Sequence, residues 1–355
     1  MQLFINHIPH KIESITDLNK IDKSLLNENE KKAFSFIESW FKNNDFVFQS
    51  SGSTGEPKKF TFTKKELIWS ATQTNNHINL NQKPQHFFIC LNINLVAGAM
   101  LLARAVLLNA SVTIVNPCSN PFENLTENHP YTFASLVPMQ LQSILNTKNG
   151  ENILNQFENI LLGGAPASNS LIKQSAHLKV NIWATYGMTE TLSHIALRNL
   201  KKEEYFKLLP NNEIALSEVN TLKIKNIVTK NQWFQTNDLA EISKEGFTVL
   251  GRTDFIINSG AYKVNAIKVE EEIANYLDSK NIASFPYFVG SLSDELLGEK
   301  VVLFIEKQNK DSINFEDLKI YLSKSLIQFE IPKKIQIIDK FYYTPSQKID
   351  RNKIK

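Results

Sequence analysis

Phe87-Phe88-Ile89-Cys90-Leu91, Val112-Thr113-Ile114-Val115, Phe133-Ala134-Ser135-Leu136, Ile160-Leu161-Leu162 and Val180 to Ala184 are short apolar runs separated by stretches of helical character. Each run is too short for a helix and suits a buried strand. Between them lie a helix through Arg104, one over Met139 to Leu145 and a polar one near Ser168 to Ala176. Strands alternating with helices predict an α/β fold with a mostly parallel sheet, whose ligand loops sit at the carboxyl ends of the strands. Leu95 to Val115 approaches the length of a bilayer span, but Arg104 stands at its centre and Asn109 follows. It reads as a buried helix, with Leu101, Leu102, Ala105 and Leu108 on one face, followed by a strand, so no membrane insertion is expected.

Outward from this block the pattern changes. Between Glu213 and Val249 short strands follow one another without helices (Leu222 to Ile227, Leu239 to Ile242, Phe247 to Leu250), as in an antiparallel sheet or small barrel. Beyond Gly251-Arg252-Thr253-Asp254 comes a compact α+β pattern. It has a helix over Ala266 to Leu277, a strand over Phe285 to Val289, a turn at Ser293-Asp294-Glu295 and a strand over Lys300 to Glu306. A helix over Phe315 to Ser325 and a strand over Lys334 to Ile338 complete it. The boundary falls at Asp254, dividing the chain into residues 1–253 and a small domain of residues 254–355.

The 355 residues carry a net charge of only +3, too mild for a nucleic-acid binder, so the partner is expected to be a small molecule. Cys90 and Cys118 stand far apart without metal-ligand spacing, which supports neither a zinc site nor a disulfide framework and fits a reducing cytoplasm. The N-terminus has no basic region leading into a sustained apolar stretch, so no secretory signal is expected. Only 12 residues are glycine, about half the usual share, so their placement carries meaning. Gly52, Gly55, Gly163, Gly164, Gly187, Gly251 and Gly260 cluster in five short segments, each beside Ser, Thr, Glu or Arg.

Four constellations carry the chemistry. Ser50-Ser51-Gly52-Ser53-Thr54-Gly55-Glu56-Pro57-Lys58 combines hydroxyls, exposed backbone N–H groups and a lysine, a donor-rich loop suited to phosphate oxygens. It lacks Walker A spacing, and a plain surface turn is its alternative. Tyr186-Gly187-Met188-Thr189-Glu190-Thr191 offers an aromatic face, a close-approach glycine, a hydroxyl and a carboxylate able to hold Mg²⁺; a helix N-terminus capped by Thr189 accounts for the same residues. Thr236-Asn237-Asp238, followed by Arg252, supplies a carboxylate for ribose hydroxyls and a guanidinium for phosphate, though both segments also suit turns. Pro345-Ser346-Gln347-Lys348-Ile349-Asp350-Arg351 is otherwise a solvated basic tail.

In this order, over nearly the whole chain, these segments resemble the adenylate-forming superfamily of acyl-CoA synthetases, luciferases and nonribosomal adenylation domains. The resemblance implies a large N-terminal α/β domain with a barrel-like subdomain and a mobile α+β C-terminal domain. It implies that Ser51, Gly52, Ser53, Thr54, Gly55 and Lys58 hold the phosphates of ATP, and that Gly163, Gly164, Ala165, Tyr186 and Gly187 line the adenine. Asp238 and Arg252 would hold the ribose, Glu190 beside Thr189 the Mg²⁺, and Lys348 would be the adenylation lysine. Asp254 matches the hinge, and Ser259 and Gly260 the loop that admits coenzyme A. Ala261, Lys268 and Gln347 depart from the family pattern without removing a catalytic group, and Asn92 to Asn94 replaces residues that often shape the acid site.

Within the superfamily the sequence is most similar to the o-succinylbenzoate:CoA ligases of menaquinone biosynthesis, in a short form. Tyr186 to Arg198 and Ala134 to Gln140 carry that similarity, as does a phosphate loop starting near residue 50. The early loop implies a truncated N-terminal region and raises a homodimer as a cover for the acid pocket. Such an acid has two carboxylates, one activated and one that needs recognition by a cation or donors. Arg104, Ser193, His194 and Arg198 are the candidates. Arg104 and Arg198 read equally well as ion-pair residues, and His194 as a helix histidine without a ligand. A carrier-loading adenylation enzyme, an aryl-acid ligase and a non-catalytic nucleotide-binding relative are the other readings. Retention of Glu190, Asp238 and Lys348 together speaks against the last.

Overall fold

The computed structural model describes residues 1–5, 8–49, 58–123, 131–280, 282, 285–343 and 349–354. Its apolar runs pair into a nine-stranded sheet, in the order Lys207–Leu208, His194–Asn199, Asn181–Gly187, Asn159–Leu162, Phe133–Leu136, His86–Ile89, Ser111–Ile114, Gln2–Ile5, Ile8–Lys11. From Asn181–Gly187 through Gln2–Ile5 every neighbour is parallel; the outer strands are antiparallel. Every residue of His86–Ile89, Phe133–Leu136 and Asn159–Leu162 is buried, as a parallel sheet covered on both faces requires. The strand order reverses direction between His86–Ile89 and Phe133–Leu136, and such a reversal opens a crevice at the carboxyl ends.

Helices position that crevice. Lys64–His77 starts at a capping box of Thr63 and Glu66 and packs on Val96–Leu107, which buries Arg104 among Met100, Leu101, Leu102 and Ala105. Glu28–Lys42 starts at a second capping box, Asn27 with Glu30. Just inside it, the buried Asn29 side chain donates to Leu91 O at 3.0 Å and Val115 O at 2.9 Å and accepts from Ile93 N. One amide thus ties together the exits of two adjacent strands.

Glu213–Leu216, Thr221–Lys225, Phe234–Ile242 and Phe247–Arg252 form a four-stranded antiparallel sheet. A five-stranded sheet follows, with Tyr262–Asn265, Ile256–Ser259, Gly298–Glu306 and Tyr287–Asp294 in order and Lys334–Ile338 parallel to Gly298–Glu306. Its core, with Val269, Ile273, Val301, Leu303 and Leu318, is separate from that of the large sheet. Among the described residues no helix is long and apolar enough to cross a membrane.

Two readings need correction. Residues after Tyr186 form no helix: Asn181–Gly187 is a strand, Thr189–Thr191 a single 3₁₀ turn and His194–Asn199 an antiparallel strand. Ile195, Ala196 and Leu197 are buried in a row, as in a strand covered on both faces, and this return strand covers what would be the open edge of Asn181–Gly187. The turn expected at Ser293-Asp294-Glu295 lies two residues later, over 295–297, because Asp294 still pairs with Gly298 and caps Leu296 N and Leu297 N.

Candidate active site

At the carboxyl end of Asn181–Gly187 the chain turns back on itself within a few residues. Gly187 is obligatory there: a Cβ would stand 2.2 Å from Ser193 O and 2.3 Å from His194 Cα. Thr191 Oγ1 donates to Ser193 O at 2.8 Å and accepts from Met188 N at 3.1 Å, closing the turn. Leu192, fully buried, takes φ +64°, a left-handed conformation that a leucine holds only where packing demands it. The turn carries Thr189 and Glu190 between the two strands, and Ser193 and His194 follow it directly.

On the side of the four-stranded sheet, three distant segments meet. Tyr186 Oη donates to Asp238 Oδ2 at 2.7 Å and Arg252 Nη1 to Asp238 Oδ1 at 3.0 Å. Arg252 Nη2 donates to Asp254 Oδ2 at 2.6 Å, and Asn237 Nδ2 to Asp254 Oδ1 at 2.7 Å. Burial and the adjacent Asp238 carboxylate push the Tyr186 phenol well above its ordinary value, so it stays a donor. For Arg252 burial opposes the charge, but the Asp254 and Asp238 carboxylates outweigh it and its pKa goes up. Gly163, Gly164 and Ala165 leave the neighbouring strand Asn159–Leu162; Gly164 has φ +86°, and a Cβ on Gly163 would meet Thr185 Oγ1 at 2.4 Å. Glycine therefore brings backbone to the crevice at both strand ends.

Behind the turn lies a buried cation that has no anion among the described residues. Arg104, 2% exposed, donates from Nη2 to Thr74 Oγ1 at 3.1 Å and Ser193 Oγ at 3.2 Å. His194 Nε2 lies 2.7 Å from Thr74 Oγ1 and 3.5 Å from Arg104 Nη2, and His194 Nδ1 is 3.4 Å from Ser193 Oγ. Among the described residues no carboxylate comes within ion-pair distance of Arg104, and its Nε is buried without a partner. Burial pushes the guanidinium pKa down to about 9, leaving it charged at neutral pH. Burial, with the Arg104 charge next, holds His194 well below the usual 6.5, so the imidazole is neutral.

Arg198 does not join this group. It donates to Glu204 O at 3.1 Å and lies 5.1 Å over the Phe206 ring, beside Tyr186 and Phe247. Thr74, which the sequence reading passed over, is at the centre instead. Its signal was the polar content of one helix face, where Ser70, Thr74 and Asn75 share burial with Leu67 and Ala71.

Ser51, Gly52, Ser53, Thr54, Gly55 and Lys348 lie outside the described residues, while Lys58 is described and exposed, at the start of Lys59–Phe62. On either side of residues 344–348, Tyr343 pairs with Ile349, and Asp350 N donates to Tyr342 O at 2.8 Å. Arg351 then donates to Glu270 at 2.9 Å and covers the Phe255 ring at 4.4 Å, next to Asp254. Burial raises the Glu270 pKa against the opposing pull of Arg351. Ser259 is fully buried with its Oγ unpartnered, Gly260 has φ +65°, and Lys268 is paired with Glu330 at 2.7 Å. Asn92, in the departing segment, accepts from Lys32 Nζ and Asn94 N.

No cluster of three His, Cys, Asp or Glu side chains able to hold a metal occurs among the described residues. Glu190 with the Thr189 hydroxyl is a sparse, hard oxygen set, which fits Mg²⁺ held mostly by substrate phosphates rather than a protein cage.

The chain is similar to known proteins over almost its full length. The AMP-binding enzyme family model matches residues 6–229. A 2-succinylbenzoate--CoA ligase of Listeria monocytogenes is 26% identical, over 94% of this chain and 75% of that protein. One from Staphylococcus epidermidis is 26% identical over 99% and 77%. Among solved structures, an acyl-CoA synthetase (AMP-forming)/AMP-acid ligase II-like protein from Dyadobacter fermentans is 33% identical, covering 96% of this chain and 97% of that one, with a TM-score of 0.62. The o-succinylbenzoate CoA synthetase of Bacillus subtilis, solved with its acyl-adenylate intermediate, has the same fold at 23% identity and a TM-score of 0.75, covering 87% and 68%. With a family model over more than half its residues and a full-length structural relative, the chain belongs to the AMP-binding enzyme family and has the adenylate-forming fold.

Proposed function

We propose that this chain is an ATP-dependent 2-succinylbenzoate:CoA ligase that works through an acyl-adenylate. The observation that carries the choice of acid is Arg104, a buried guanidinium surrounded by hydroxyls and an imidazole and lacking a carboxylate among the described residues. A buried charge is costly unless paired, and the ring carboxylate of a dicarboxylic acid would supply the missing partner. Thr74, Ser193 and His194 complete that niche; Arg198, bound elsewhere, is assigned no contact with the acid.

In the first half-reaction the succinyl carboxylate attacks the α-phosphorus of ATP, and the bond to the pyrophosphate oxygen breaks. We assign the phosphates to Ser51, Gly52, Ser53, Thr54, Gly55 and Lys58, and the adenine to Gly163, Gly164, Ala165, Tyr186 and Gly187. The ribose falls to Asp238 with Arg252. Tyr186 and Arg252 already orient that carboxylate, so it meets the ribose hydroxyls without rearranging. Glu190, beside Thr189, would hold Mg²⁺, which neutralises phosphate charge. Lys348 would set a point charge beside the attacking and phosphoryl oxygens. In the second half-reaction the coenzyme A thiol attacks the acyl carbonyl, its proton is lost and AMP leaves. Residues 254–355 would turn about Asp254 between the halves, bringing Ser259 and Gly260 to the site. The reading places the chain in the cytoplasm, which keeps the free Cys90 and Cys118 thiols reduced and supplies ATP and coenzyme A.

Pyrophosphate release and thioester formation test this with o-succinylbenzoate, benzoate and 4-oxo-4-phenylbutanoate, which lacks only the ring carboxylate. The expected preference for o-succinylbenzoate in kcat/KM is about 100-fold or more. Equal use of the acid lacking the ring carboxylate overturns the assignment.

A further inference from the structure

Hydrogen-bond accounting around Arg104 determines where each proton sits. Arg104 Nη2 has two hydrogens, and they go to Thr74 Oγ1 and Ser193 Oγ. His194 Nε2 then faces a guanidinium nitrogen 3.5 Å away, a position that repels an N–H and favours a lone pair. Since Thr74 Oγ1 accepts from Arg104, its own hydrogen goes to His194 Nε2, at 2.7 Å. The imidazole is therefore the Nδ1–H tautomer, with that proton directed at Ser193 Oγ. Ser193 Oγ accepts from both Arg104 and His194, and its hydrogen is committed to no described residue.

We propose that Thr74 is a specificity-determining positioning residue: its hydroxyl relays the Arg104 charge to His194, holds the Nδ1–H tautomer, and so leaves the Ser193 hydroxyl free to donate to a carboxylate beside Arg104. The proposal rests on the reading that this niche takes the second carboxylate of the acid. Thr74 touches the niche through its neighbours, and nothing in it takes part in the bond-making steps. Without the hydroxyl, Arg104 loses an acceptor and Nε2 its donor. The Nη2 hydrogen released from Thr74 then turns to the Nε2 lone pair 3.5 Å away, so the guanidinium and the ring draw together and leave the spacing that serves the carboxylate between Arg104 and Ser193.

Thr74→Val removes the hydroxyl at nearly constant volume and Thr74→Ser keeps it. For o-succinylbenzoate, Thr74→Val should raise KM about 10- to 100-fold, the range for loss of a hydrogen bond to a charged group. KM for ATP and kcat/KM for 4-oxo-4-phenylbutanoate should stay within about twofold, and Thr74→Ser should restore most of the loss. Nitrogen-15 NMR of histidine-labelled protein, with His194 assigned through His194→Gln, should show Nε2 unprotonated in the parent and in Thr74→Ser. An Nε2–H tautomer in the parent, or an equal loss toward both acids in Thr74→Val, overturns the proposal. A parent that fails to distinguish the two acids overturns the substrate reading instead, and the His194 Nε2 nitrogen shift, which should change in Thr74→Val and stay parental in Thr74→Ser, still decides the role of Thr74.

Discussion

Arg104 shows how a single side chain can be costly to the fold and useful to the site. In the unfolded chain its guanidinium keeps its proton far into the alkaline range, whereas in the folded chain burial lowers the value to about 9. Above that value the unfolded state binds more protons, so the cost of burying the charge shrinks as pH rises, and it is fully present at neutral pH. Arg104→Met should therefore stabilise the ligand-free protein by about 1–4 kcal/mol in denaturant titrations while abolishing the preference for a dicarboxylic acid. A destabilised variant would mean that the cation is structural. Tyr186 gives a second test. Tyr186→Phe takes one donor from the buried Asp238 carboxylate, which should cost about 1–3 kcal/mol and raise KM for ATP rather than for the acid.

Among the elements, the strand, turn and return strand over 181–199 decide the geometry of both substrate sides. Tyr186 faces Asp238 from one strand, and Ser193 and His194 face Arg104 from the other end of the same turn. Gly187→Ala should cost more than about 2 kcal/mol, because the new methyl meets backbone at Ser193 and cannot be accommodated by a rotamer change. It should also raise KM for the acid by displacing Ser193; retention of parental stability and KM would show that the turn adapts. The sequence reading took this stretch for a helix because Thr189 and Glu190 look like a cap and first turn. A three-residue turn does not propagate, and the pairing of Arg198 with Ala184 wins over local propensity.

At the scale of the whole molecule, the five-stranded sheet and its helices are joined to the rest at residues 250–265 and where helix Ala266–Ser279 packs on helix Asn169–Ser175. Asn265 Nδ2 donates to Leu250 O at 2.8 Å, Arg252 links Asp238 to Asp254, and Arg351 brings the C-terminal segment onto Phe255. Arg351→Met leaves the Glu270 carboxylate buried without its cation, a loss of about 3–5 kcal/mol. The Glu270 pKa, already raised by burial, should rise further. The folded state then holds a proton that the unfolded state has released above the ordinary 4.5, so the variant should lose stability against the parent as pH rises through that window. Urea unfolding from about pH 4 to 8 measures this, and parallel curves for the two proteins would show that Glu270 does not depend on Arg351.

The order of strands and helices after Phe87, the antiparallel run after Glu213 and the α+β pattern after Asp254 were legible in the sequence, because period and length are local properties. The residues proposed for the nucleotide side were singled out because glycine, acid and base stand together in short segments whose order resembles the adenylate-forming superfamily. Other features depended on contacts between residues far apart in the chain. Gln2–Ile5 pairs with Ser111–Ile114, Asn29 joins two strand exits, Thr74 bridges Arg104 and His194, and Arg198 turns to Phe206. No local pattern records which buried donor finds which acceptor; that is settled only when packing brings helix face and strand end together and every buried polar group must take the partner within reach.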